Sequence, residues 1–329
     1  MDKVAALKAR YEFRDVAYSM VGDETGRGRN FTQHACLFCQ SSDAFTVYED
    51  SYFCFSCEAS GDVIDLLAYQ NKQTVSDFLR GNNIGMKPEQ IEAFRVESAE
   101  RARIRKEEAD KDYRSALERL HEVQAWIRYN NNLMESEHAQ QLWRSRGVPV
   151  EWQSYFELGY KPRHKYRTKQ GEAITATLAM PVKKVGGEVL TIRHRLINPM
   201  SASDKYRPDS EGLGAHPFVC NTSLERAQNI VIVEGEIKSM VTFLTLDSAD
   251  YQVIGVPSKS MMEKVVMSAR DRESVVIIPD PDGFDQARQY SRAVGAKLLA
   301  LPGKIDDLIN LHGLDKAWMN NAIMKARRI

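Results

Sequence analysis

The sequence predicts a multidomain α/β protein: a zinc-ribbon β domain, a mixed α+β region, and a Rossmann-like parallel α/β region. Three observations carry that expectation. Four of the five cysteines fall within 22 residues, as Cys36-x2-Cys39 and Cys54-x2-Cys57. A Gly-Gly turn sits inside an alternating stretch at residues 174–198. From Asn229 onward, short branched apolar runs alternate with helical patterns, the texture of strands buried on both faces of a parallel sheet. At 329 residues, with 43% hydrophobic and 27% charged, the chain can hold two or three domains and at least one sizeable core.

Residues 1–80 form the first expected domain. Two CxxC knuckles separated by fourteen residues can hold four thiolates tetrahedrally around a structural Zn²⁺. The start, "MDKVAALKARYEFRD", is charged from residue 2, and no run of 18 apolar residues follows, so a cytoplasmic protein with no membrane partner is expected. That compartment disfavours disulfides and so favours the metal. His34, Phe38, Phe45, Tyr48, Tyr52, Phe53 and Phe55 crowd the ribbon. Some must be core, and an exposed subset would stack on unpaired bases, with His34 a candidate contact. Eight basic against twelve acidic residues through Arg80 favour base reading over backbone grip. Cys220 stands apart as a small buried residue.

"GDVIDLLAYQNKQTVSDFLR" reads as two short helices closing this unit. Residues 81–115 read as a charged helical linker, and 116–228 as a basic subdomain. There "AQQLWRSRGVPVEWQSYFELGY" predicts a helix ended by Gly147 and another starting near Pro149. Between Lys161 and Arg207 lie eleven Lys or Arg against three acids, a surplus hidden by the net charge of zero. Residues 229–329 contain the apolar strands "NIVIV", "QVIGV", "SVVII" and "AKLLAL".

Two of those strands end in acids. "SVVIIPDPDG" delivers Asp280 and Asp282 on a stiff loop, since two prolines rule out further ladder pairing. "NIVIVEGEIK" ends in Glu234, with Lys238 on the following helix. Parallel strands present their carboxyl ends on one rim, so these acids would converge as a site for Mg²⁺ or Mn²⁺, hard ions that prefer oxygen. Asp306 and Asp307 would join the rim or serve as helix-start acids. Asp285 reads as an acid near a helix start.

"IVIVEGEIKSMVTFL" with "VVIIPDPDGFDQA" resembles the Toprim domain, whose signature is a Glu after one strand and a DxD after another. "CLFCQSSDAFTVYEDSYFCFSCEASGDVIDLLAYQNKQTVSDFLR" resembles the zinc-binding domain of DnaG-type primases. "AQQLWRSRGVPVEWQSYFELGYKPR" and "LAMPVKKVGGEVLTIRHRLINPMSASDKYRPDSEG" are similar to the helical start and basic stretch of that family's polymerase domain. The resemblance covers almost the whole chain in the family's order. It implies a DNA primase making RNA primers on single-stranded DNA from ribonucleoside triphosphates, as a metal-dependent nucleotidyltransferase. Glu234, Asp280 and Asp282 would be the catalytic metal-binding acids, joined by Asp306. Arg195 and Lys205 would act in catalysis, and Arg193, Tyr206, Lys238 and Lys259 would contact template, primer or nucleotide. An RNA–DNA hybrid, a replicative helicase and a polymerase are the further partners implied. Cys39 replaces the histidine usual in bacterial members, a four-cysteine pattern resembling phage primases. The short sequence after the Toprim-like region would leave no room for a helicase-binding domain, as expected of a compact phage primase or of a truncated chain.

Overall fold

The structure is a computed structural model and describes residues 3–22, 32–41, 44–82, 88–168, 171–201, 205–210, 212–224, 227–246, 251–313 and 315–328. The chain divides into two units, Met1–Lys111 and Asp112–Ile329.

The first unit opens with α1 (Lys3–Lys8) and α2 (Phe13–Val21). An antiparallel meander follows: β1 (Thr32–His34), β2 (Phe45–Val47), β3 (Tyr52–Cys54) and β4 (Ser60–Gly61). It is closed by α3 (Val63–Gln70) and α4 (Val75–Gly81), the two short helices expected from the sequence. A capping box starts α3: the Asp62 carboxylate accepts the Ile64 N–H, and the Asp65 carboxylate accepts the Asp62 N–H. Phe45, Val47, Ile64 and Leu66 are the buried centre of a small core that also takes in Phe13 and Ala17 of α2. The helices α1 and α2 were not expected, because each is too short to show a period in the sequence.

The charged segment forms α5 (Pro88–Val123), within which the division between units falls. Its exposed Arg103 pairs with Glu100 and Glu107, the (i, i+3) and (i, i+4) ladder that supports a solvated helix.

In the second unit come α6 (Ala125–Met134), α7 (Glu137–Arg144) and α8 (Val150–Tyr155). Gly147, at φ 84°, turns the chain between the last two, and Pro149 caps α8, as expected. An antiparallel sheet follows, of β5 (Gly159–Thr168), β6 (Gly171–Lys183), β7 (Val189–Leu196) and β8 (Tyr206–Pro208), in that spatial order. The β6–β7 hairpin turns at Gly186 and Gly187, with φ of 94° and 86°, a conformation that the Gly-Gly pair permits without strain.

The remaining elements are β9 (Phe218–Val219), β10 (Asn229–Glu234), α9 (Glu236–Leu244), β11 (Tyr251–Val256), α10 (Lys259–Ser268), β12 (Ser274–Ile278), α11 (Phe284–Val294), β13 (Lys297–Leu298), α12 (Ile305–His312), α13 (Lys316–Lys325) and β14 (Arg327–Arg328). They build a six-stranded sheet in the order β14-β13-β12-β10-β11-β9. The four strands read from the sequence are its parallel centre. Two-residue antiparallel strands at both edges were not expected, since two residues carry no alternation to read. "AKLLAL" is trimmed to Lys297–Leu298, with Pro302 soon after it.

Helix α9 packs on one face of this sheet, through Ile237, Met240 and Val241 against Val231 and Val233. Helices α10 and α11 cover the other face, where Val265, Val266 and Ala287 meet Ile230, Ile232 and Ile277. The chain therefore leaves β10 toward one face and β12 toward the other. Between the carboxyl ends of these neighbouring strands lies a topological switch point, where open α/β sheets form their crevice.

Gly255 permits this arrangement. A Cβ there would stand 2.8 Å from the Gly235 carbonyl oxygen and would also strike the Ser239 hydroxyl. Gly255→Ala should therefore cost about 1–3 kcal/mol by overpacking. Urea unfolding measures this, and an unchanged midpoint would show that α9 can simply slide away.

Candidate active site and zinc ribbon

In the first unit, the two cysteine knuckles are built alike. Gln40 N–H bonds the Cys36 carbonyl at 3.0 Å, and Glu58 N–H bonds the Cys54 carbonyl at 2.9 Å. Gln40 and Glu58, each following the second cysteine of its knuckle, take left-handed φ of 58° and 61°. Backbone N–H groups of Phe38 and Cys39 point at Cys36 Sγ, and that of Ser56 at Cys54 Sγ. The four sulfurs converge within 4.8 Å, with Cys36–Cys57 and Cys39–Cys54 each at 3.8 Å. Tetrahedral zinc with Zn–S bonds of about 2.3 Å needs sulfurs about 3.8 Å apart, so the cysteines fit the ion. Burial would raise Cys39, but bonds from Ser41 and the neighbouring thiols outweigh it and bring the thiol to about 6. Burial pushes Cys36 and Cys57 up, so zinc loading must displace protons there.

His34 is buried against the ring of Tyr18, whose centroid lies 5.7 Å away, and so does not face solvent. The exposed aromatics of this unit include Phe38, Phe55 and Tyr69, at 38%, 49% and 44%. Phe38 is held by rings on two sides, stacked on Tyr52 and edge-on to Tyr69. Tyr69 escaped the sequence reading because it lies on α3, outside the ribbon.

In the second unit, register places Val233 of β10 opposite Ile278 of β12. Glu234 and Asp280 therefore leave the sheet at nearly the same level, on the rim at the switch point. Asp280 is extended, a short 3-10 turn spans Pro281–Gly283, and Asp282 is exposed within it. Asp285 lies in the first turn of α11, and Asp306 and Asp307 in that of α12, where acids suit the helix dipole. The Asp280 carboxylate is paired with the Lys238 ammonium. Glu234, Asp280 and Asp282 are not among the described groups whose three ligand atoms converge within 4.8 Å. Hard oxygen donors on one rim suit a divalent cation. Asp306, in the first turn of α12, has a buried Oδ1 with no hydrogen-bond partner.

The basic segment supplies a cationic face. Alternation along β7 turns Arg193 and Arg195 to one side and buries His194 on the other. Tyr206 of β8 collects the cations: Arg193 and Arg195 lie 5.1 and 5.4 Å from its ring centroid, and Lys205 6.0 Å. Arg195 also donates to the Tyr206 hydroxyl at 2.9 Å. Arg193 Nη1 comes 2.9 Å from Oε1 of the buried Glu236, close enough for charge attraction though not aligned as a hydrogen bond. This pair joins β7 to the first turn of α9. Burial lowers the Lys205 ammonium, helped by the nearby charges of Arg195, Lys304, Arg146 and Lys238. Arg146 and Lys304 belong to this cluster but were not read from the sequence, because each sits in a turn beside a glycine with no pattern around it. Lys259 opens α10, which Ser258 caps, and its side chain lies outside the described residues.

Behind the cationic face is a buried polar hub. Asp209 Oδ1 accepts from Tyr129 Oη at 2.8 Å, Lys161 Nζ at 2.9 Å and His194 Nε2 at 2.8 Å. His194 Nδ1 meets the Thr177 hydroxyl at 2.8 Å, and His164 stacks on the His194 ring at 4.5 Å. His164, His194 and Asp209 offer metal-type ligand atoms within 4.8 Å. Both nitrogens of His194 are already engaged, however, and an ammonium already sits on Asp209. His194 and Asp209 are thus committed to hydrogen bonds, while the buried His164 Nδ1 has no hydrogen-bond partner.

No family model matches the chain, and no curated protein matches it in sequence. Among solved structures, it is similar to the DnaG catalytic core, with a TM-score of 0.50 at 14% identity, over 64% of this chain and 80% of that one. The chain has the DnaG catalytic-core fold. The zinc-binding and RNA polymerase domains of Aquifex aeolicus primase match at a TM-score of 0.49 and 17% identity, over 100% of this chain and 86% of that one. A DnaG primase catalytic domain bound to ssDNA matches at 0.49 and 14%, over 66% and 83%. Among the described residues, no helix of the chain is long and apolar enough to cross a membrane.

Proposed function

We propose that the protein is a DNA primase, synthesising short RNA primers on single-stranded DNA in the cytoplasm during replication. One observation carries this reading: an acidic rim at the switch point of a parallel sheet, joined by the Arg193–Glu236 pair to a cationic face on a second sheet. Residues 1–80 would read the template, 81–115 would link, and 116–228 with the Toprim-like 229–329 would polymerise. A divalent ion held by Glu234, Asp280, Asp282 and Asp306 would stabilise the charge that develops at the transferred phosphate. Arg195 and Lys205 would bind and orient the nucleotide triphosphate, with Arg146 and Lys304 extending the same anion site. Tyr206 holds the guanidiniums toward the substrate, and Arg193 would contact the template backbone. Phe38, Phe55 and Tyr69 offer stacking surfaces for unpaired template bases. An RNA–DNA hybrid is the product, and the replicative helicase and polymerase are the expected partners.

Single-stranded DNA, labelled ribonucleotides and Mg²⁺ or Mn²⁺ test this reading. Wild type should make short RNA, and Asp280→Asn should make at least about 100-fold less. Cleavage of the DNA would mark a nuclease instead, and binding without either product a non-catalytic regulator.

A further inference from the structure

Strand β5 is an edge of the antiparallel sheet, and its register against β6 shifts between Lys161 and His164. Lys161 stands opposite Thr177 and His164 opposite Thr175, so Pro162 and Arg163 together face one residue of β6. This bulge decides what the strand presents. Lys161 bonds into the buried hub, and His164, three positions on, stacks in the same hub. Strict alternation would have turned His164 to the other side. After the bulge, Lys165 and Arg167 point to the face opposite the hub, across from Ile174 and Glu172. Every second residue of β6 from Ile174 leads to Leu178 and Met180, the partners of Arg195 and Arg193. Lys165 and Arg167 therefore stand on the face of the sheet that carries Arg193 and Arg195.

Arg163, Lys165 and Arg167 are all exposed, and among the described residues none of the three forms an ion pair. Glu172 is the one acid across from them on β6. Blunting an edge strand takes a charge or two of either sign. A row of one sign, repeating about every 6.7 Å along the strand, is instead what a polyanionic backbone can follow. Ile174, 50% exposed beside Lys165, offers an apolar contact to a base. Measured along β6 and across two strand spacings, Arg167 lies about 20 Å from Arg195, too far to share one nucleotide with it.

We propose that Arg163, Lys165 and Arg167 form a phosphate-binding track that carries the single-stranded template beyond Arg193 and Arg195. The choice of template strand rests on the primase reading above. The track contacts backbone phosphates and no base edges, so it adds affinity without adding sequence preference.

Fluorescence anisotropy of a labelled single-stranded DNA of about 30 nucleotides, titrated with the zinc-loaded full chain over a range of salt, tests this. The triple variant Arg163→Gln, Lys165→Gln, Arg167→Gln should bind at least about tenfold more weakly at 0.1 M salt. Its plot of log affinity against log salt should be shallower by about two, since three phosphate contacts are lost. The double variant Arg163→Lys, Arg167→Lys, which keeps the charges, should bind as wild type does. ATP affinity should be the same in all three proteins, because the triphosphate is assigned to Arg195 and Lys205. A triple variant with wild-type affinity and slope would overturn the proposal. So would weaker binding at an unchanged slope, which marks a structural loss, or an equal loss in the double variant. ATP affinity falling in step with DNA affinity would place the row in the nucleotide site instead, and would also overturn it. Each of these outcomes leaves the primase reading standing. DNA binding as expected but with no RNA made would sink the primase reading alone, and no DNA binding by wild type would sink both.

Discussion

Stripping zinc with a tight chelator is expected to unfold the ribbon while β10, β11 and β12 stay protected in hydrogen exchange. The ribbon's strands are only two or three residues long, well below what holds a sheet together in water without other support. A four-thiolate zinc site contributes on the order of 10 kcal/mol, comparable to the whole stability of a domain. Burial raises two of the thiols, Cys36 and Cys57, and without metal the knuckles hold pairs of sulfurs at 3.8 Å with little to keep them there. Metal analysis should find one zinc per chain. Persistent protection of residues 32–61 after the zinc has been removed would show that the small core suffices alone.

Asp209→Ala is expected to cost about 3–5 kcal/mol, the largest effect of a single substitution in the second unit. It strands the Lys161 ammonium, the Tyr129 hydroxyl and the His194 ring at once, all three of which now share one carboxylate oxygen. Acid should act on the same hub in two stages. Burial, then the neighbouring His194 and Lys161, bring His164 down to about 4. Its folded value lies below the unfolded value of about 6.5, so the unfolded chain takes the proton first. Stability is complete above that value and falls by up to about 3 kcal/mol as pH drops toward 4. Burial alone would raise Asp209, but His194 and Lys161 hold its carboxyl well below the usual range. Its contribution is present above about pH 4, the unfolded value, and is lost only at more acid pH. Urea unfolding at pH 7 and pH 5 should therefore separate wild type from His164→Phe. That variant lacks the His164 share of the first stage and keeps that of His194, also lowered by burial. Equal pH slopes in the two proteins would remove His164 from the account.

The sequence revealed what repeats or alternates. Branched runs disclosed the four parallel strands, and the Gly-Gly pair disclosed the β6–β7 turn, because each obeys a local rule. The cysteine spacing carried the ribbon for the same reason. Contacts between distant residues were not legible. Lys238 meets Asp280 across 42 positions, and Asp209 meets Tyr129 across 80, with no local pattern to mark either pair. Arg146 and Lys304 enter the cationic cluster from unrelated turns. His34, conspicuous among the ribbon aromatics, is a buried side chain against Tyr18, which composition alone does not reveal.

The alternation of β7 also guards the folding of the sheet against error. Arg193, His194 and Arg195 are consecutive, so a slip of one residue against β6 or β8 would drive both guanidiniums inward and turn His194 out. Such a pairing would bury two charges without partners and leave Asp209 without its imidazole, a penalty far above the usual margin between competing registers. Misaligned hairpins of this sheet should therefore be short-lived, and the strand that presents the cations also proofreads its own docking.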